Sequence, residues 1–117
     1  MNEIEARAID ILKPIMKQDI PLAKDVSTMW MKLELMRKAI REDNLNEAER
    51  YLREFRVAIR NVWEKVSTYK FKIPNEDIAI LLKYVQVIGD KAEDEFNAFW
   101  VKKAKEAWEK IQKERRK

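Results

Sequence analysis

The sequence predicts an all-α fold: a single compact, up-and-down bundle of about five helices with a central apolar fourth helix. Apolar residues recur at three- and four-residue spacing along nearly the whole chain, and no segment alternates as a half-buried strand would. Asparagine or aspartate followed three positions later by glutamate punctuates the pattern, as helix starts do. At 117 residues and 46% hydrophobic content, one domain over 1–117 is expected.

Asn2 with Glu5 forms a capping box, after which Ile4, Ala8, Ile11, Leu12 and Ile15 make one stripe through a helix ending near Gln18. Pro14 lacks the N–H that would bond to Asp10, so a kink is expected there. Asp19-Ile20-Pro21 resets the chain. A second helix then runs to about Glu42, with Leu22, Val26, Met29, Leu33, Met36 and Ile40 inward. Asn44 with Glu47 opens a third, to about Tyr69, whose inner face is Ala48, Leu52, Phe55, Ile59, Val62 and Val66. Pro74 and Asn75 introduce a fourth, apolar on nearly every side from Ile78 to Ile88, with Gly89 placed as its left-handed cap. Asp90 with Glu93 opens a fifth, with Phe96, Phe99, Trp100, Ala107 and Ile111 inward and a fraying basic end at about 112–117.

Composition removes most enzymatic functions. The chain has no histidine, no cysteine and one glycine. Without imidazole or thiol it lacks the usual general base near neutral pH, the usual nucleophile-and-base pair, and the nitrogen and sulfur ligands of transition-metal sites. One glycine cannot build a phosphate-cradling loop. Ser27, Thr28, Ser67 and Thr68 have no base to activate them, and Glu93, Asp94 and Glu95 suit a helix start better than a cation. A non-enzyme without cofactor, catalytic residues or metal site is therefore expected. The longest apolar run, Ile78 to Ile88, contains Lys83 and is too short to span a membrane, and Met1 to Glu5 opens no signal sequence, so a cytoplasmic protein is expected. Abundant Lys, Arg and Glu without cysteine is a thermophile-like composition.

Charge is unevenly spread. The segments Arg50 to Lys72 and Lys102 to Lys117 each carry a local +5 in a chain whose total is +4. At about 100° per residue, Arg53, Arg56, Arg60 and Trp63 share one strip of the third helix, and Trp30, Arg37 and Arg41 share one of the second. Arginines neutralise phosphates while an exposed indole stacks on a base, so these residues predict a surface for single-stranded or weakly sequence-specific DNA or RNA. Lys70, Lys72, Arg115 and Arg116 would extend it. An accessory module of replication or of a mobile element fits such a surface. In the competing structural reading, tryptophans at the border of a core face are packing, and flanking arginines cover it with their stems while pairing with Glu34, Glu49, Glu54 or Glu64.

A second functional class is a protein-interaction subunit or homo-oligomer. Met31 and Leu35 lie off the core stripe of the second helix, and Val57 and Trp108 are candidates for the same exposure. The stretch Ala39 to Leu52 resembles the helix-turn-helix joint of tetratricopeptide-type repeats and of HEPN-type bundles. The first resemblance implies a 34-residue period, of which there is no second copy; the second implies a non-catalytic member, because the ribonucleases among HEPN proteins use an Arg-x4-6-His motif that this chain cannot supply.

Overall fold

The computed structural model describes residues 2–116 and contains four helices: α1 (Glu3–Gln18), α2 (Ile20–Arg41), α3 (Leu45–Ser67) and α4 (Asn75–Arg115). The all-α expectation holds among the described residues, with four helices in place of about five. Local chemistry sets most boundaries. The side chain of Asn2 accepts from the Glu5 N–H at 2.8 Å and that of Asn44 from the Glu47 N–H at 3.1 Å, satisfying donors that a helix start leaves orphaned. α1 runs unbroken through Pro14. The α2 end turns on Asp43, in the left-handed region at φ 57, with the Asn44 N–H donating to the Ala39 carbonyl at 2.9 Å, a closure usually given to glycine.

Asp19 alone joins α1 to α2. Its N–H donates to the Ile15 carbonyl, its Oδ1 accepts from the Leu22 N–H at 3.0 Å, and its Oδ2 accepts from the Tyr69 hydroxyl at 2.5 Å. The Tyr69 bond, then the Leu22 N–H, holds the Asp19 carboxyl below its ordinary value, and the same bond raises the Tyr69 phenol. A carboxyl depressed by folding contributes stability above its unfolded value near 3.8, and that contribution is lost as pH falls through the lower folded value. Asp19→Asn, which keeps a capping oxygen but loses the charged acceptor, should cost about 1 kcal/mol at neutral pH. In urea titrations the gap from the parent chain should close in strong acid.

The main correction concerns α4. The chain does not stop at Gly89, which is helical and has no positive φ, and the Asp90 and Glu93 capping box does not form because α4 continues to Arg115. Gly89 sits instead where another helix packs closely. A Cβ at position 89 would lie 3.2 Å from Ile59 Cδ1, so α3 crosses α4 at this point. Because the obstacle is the terminal methyl of a half-buried side chain, Gly89→Ala should raise stability by about 0.5 kcal/mol through helix propensity, whereas Gly89→Leu should lower it. Thermal unfolding of the two variants checks the opposite signs.

Cross-helix pairs give the topology. Asp25 with Lys65 and Lys32 with Glu54 run in opposite senses, making α2 and α3 antiparallel, while Trp30 with Tyr84, Arg37 with Glu95 and Asp43 with Lys103 rise together along parallel α2 and α4. α1 lies along the start of α4, where Arg7 meets Glu76 at 3.1 Å. The core between them contains Leu12, Leu22, Met29, Leu33, Met36, Leu52, Phe55, Val62, Leu81, Tyr84 and Ile88, with no buried polar or charged residue among the described ones. The expected inner faces of α2 and α3 are inside, with Ile40 and Ile59 half-buried.

At 1.5 Å per residue, α2 and α3 are about 33 Å long and α4 is about 60 Å. The longest extent of the molecule is 67 Å. Lys103, which pairs at 3.1 Å with Asp43 in the α2 to α3 turn, marks the last point where α4 touches the bundle through an ion pair. The following 12 residues to Arg115 project about 18 Å beyond it. The basic end expected to fray is helical to Arg115; Lys117 lies outside the described residues.

Candidate docking and nucleic-acid surfaces

The predicted arginine and tryptophan surface is only partly assembled. Trp30 is half-buried against the core, and its Nε1–H donates to the Tyr84 hydroxyl at 3.1 Å. Arg37 donates from Nε and Nη2 to both carboxylate oxygens of Glu95, at 2.9 and 3.0 Å, and from Nη1 to Glu34 at 2.7 Å. Arg56 grips Glu93 in the same forked way at 2.6 and 2.8 Å. These acids, Glu95 for Arg37 and Glu93 for Arg56, push the two guanidinium groups further up from their ordinary values. Arg53 pairs with Glu49, one turn away, at 2.9 Å.

Other candidate cations are free of ion pairs among the described residues but lie far apart. Arg60 is exposed on α3, one turn before Trp63, which is itself 43% exposed. Arg41 ends α2 near the base of the α4 projection, while Lys70 and Lys72 occupy the α3 to α4 connection at the opposite end. Lys70 sits 5.4 Å over the ring of Phe71, which is 91% exposed, and Lys72 sits 5.3 Å from the Tyr69 ring. Arg115 and Arg116 are at the tip of α4. No single face of the bundle gathers them.

A cavity of about 590 Å³ opens between α1 and the start of α4, lined by Ile11, Ile15 and Ile73 together with Asp10, Lys72 and Asp77. Among the described residues no cluster of three carboxylates is placed to hold a metal ion.

A different surface stands out on α4. Its buried residues Leu81, Val85, Ile88, Ala92, Phe96 and Phe99 follow one helical face, which at Lys103 becomes polar. Trp100, Val101, Ala104, Ala107, Trp108 and Ile111 fall on another, spanning about 120° and rotated about 120° from the first. All six are exposed, Trp100 by 53% and Trp108 by 56%. Between the two indoles lies a shallow groove of about 300 Å³ walled by Val101, Ala104 and Lys105. The expectation that Trp100, Ala107 and Ile111 point inward is therefore overturned: they belong to a second face that the bundle does not cover. Trp108, Met31 and Val57 are exposed as expected, whereas Leu35 is half-buried.

The second apolar face begins at Trp100, one turn before the projection that follows Lys103. From Gln86 through Asp90, Glu93 and Asn97, the same side of α4 is polar; from Trp100 onward it is apolar. The sequence carries this signal as a 3.6-residue stripe through 100, 104, 107, 108 and 111, out of phase with 92, 96 and 99. Among the described residues no helix is long and apolar enough to cross a membrane. In comparisons with family models, curated proteins and solved structures, nothing matches the chain.

Proposed function

We propose that this chain is a non-catalytic docking module whose working surface is the projecting end of α4. One observation carries the reading: six exposed apolar side chains, two of them tryptophans, line one side of α4 from its last turn on the bundle, at Trp100 and Val101, out along the projecting end to Ile111. Soluble domains rarely expose contiguous apolar surface without a partner to cover it, and tryptophan is among the residues that dominate interface energetics. Lack of histidine and cysteine fits a role in assembly better than one in chemistry.

Placing glutamate at both Trp100 and Trp108 should leave the helix content and cooperative unfolding of the bundle intact while abolishing association. Loss of the cooperative transition would return these rings to the fold and remove the reading.

Binding of single-stranded DNA or RNA is a second reading, favoured by Arg60 beside the exposed Trp63 and by the seven basic against three acidic residues from Lys102 to Arg116. Titration with single-stranded and duplex oligonucleotides at two salt concentrations, read by tryptophan emission, tests it. Of Arg53, Arg56 and Arg60, only Arg60 lacks an acid partner, so Arg60→Ala should account for most of any change in salt slope.

A further inference from the structure

The order of chemistry along the uncovered side of α4 identifies what covers it. Asp90 and Asp94 precede the apolar stretch, Trp100 to Ile111 form it, and Arg115 and Arg116 follow it. Asp90, Asp94, Arg115 and Arg116 are all exposed and take part in no ion pair among the described residues. Read in one direction the face is acidic, apolar and basic; read in the other, it is its own complement. Resting on the docking reading above, we infer that the occupant is a second copy of this chain, its projecting helix laid antiparallel against the first.

Antiparallel pairing about a two-fold axis near position 105 sets Trp100 against Ile111 of the second copy and Ala104 against Ala107. It brings Arg115 and Arg116 opposite positions 96 and 95, within about 3 Å along the helix of Asp94, twice over by symmetry, with Asp90 about one turn beyond Asp94 adding to the acidic field of that end. The small residues at 104 and 107 allow close approach at the centre, with the Trp108 rings beside them and the Trp100 rings towards the two ends. Parallel pairing would set aspartates against aspartates and arginines against arginines. A two-fold arrangement also consumes both apolar faces at once and leaves no open end for further growth. Glu93 is held by Arg56 and stays outside the exchange.

The test is the mass of the full chain in solution, by light scattering from micromolar to millimolar concentration, with charge-reversed variants. The parent chain should rise from 14.1 kDa toward twice that mass. Arg115→Glu with Arg116→Glu should weaken the association about tenfold or more, as should Asp90→Arg with Asp94→Arg, each with helix content unchanged. An equimolar mixture of the two variants should regain it, because each then meets its complement.

A mass of 14.1 kDa at every concentration, or variants that associate as well as the parent, overturns the second copy as occupant. A monomer whose tryptophan emission shifts with anionic vesicles or an oligonucleotide overturns it in favour of those surfaces. The docking reading itself fails separately, through loss of folding when Trp100 and Trp108 become glutamate.

Discussion

Phe55→Ala should lower the unfolding free energy by about 3 to 5 kcal/mol, a loss matched among single truncations by that of Trp30→Ala. Phe55 is 1% exposed on the inner face of α3, between Leu52 and Val62, and belongs to the common core of the four helices. Removing the ring forfeits its transfer out of water and leaves a cavity that neighbours held in packed helices can only partly fill. Urea unfolding should show an earlier midpoint with an unchanged slope, because the surface exposed on unfolding is nearly the same.

Two tryptophans should respond in opposite ways. Trp30→Ala should cost about 3 to 5 kcal/mol, since it empties a space beside the core and takes the indole donor from the Tyr84 hydroxyl. Tyr84 is almost fully buried, and burial already raises its phenol above the ordinary value, so its oxygen has little access to water as a replacement. Trp108→Ala should change unfolding in dilute solution by no more than about 0.5 kcal/mol, as surface substitutions do. In concentrated solution the same change should weaken association about 30-fold, the effect of a central interface residue worth about 2 kcal/mol. Denaturation at low concentration and light scattering at high concentration separate the two effects.

The contrast between these residues marks what local spacing can convey. The inner faces of α2 and α3 are legible because each helix has one apolar phase from end to end, and the Asn2 and Asn44 caps are legible because the donor and acceptor lie three residues apart. Gly89, Asp90 and Glu93 carry the same local marks as a true stop and start. Their meaning differs because residues distant in sequence pack along this stretch, Ile59 against Gly89 and Arg56 on Glu93, in a helix that runs on past them. Dividing α4 there resets its phase, so that Trp100, Ala107 and Ile111 read as a continuation of the core stripe when they form a second one.

The fate of the arginines depends likewise on distant partners. Glu95 and Glu93 claim Arg37 and Arg56 from positions 58 and 37 residues away, and Trp30 finds Tyr84 across 54. Pairing within α3, of Arg53 with Glu49, is the kind that helical spacing does foresee. The exposed pair of Arg60 with Trp63 is what remains of the predicted ridge.

Hydrogen exchange along α4, followed as protein concentration is raised, decides whether the projecting helix is a pairing surface. Amides from Ile78 to Phe99 are packed against three other helices and should be protected at every concentration, whereas those from Ala104 to Arg115 lie on a helix without tertiary support and should exchange rapidly when dilute. Slow exchange should then spread to Ala104 through Arg115 as chains pair. Rapid exchange of that segment at all concentrations, or protection equal to the core in a solution of single chains, would refute pairing through this helix.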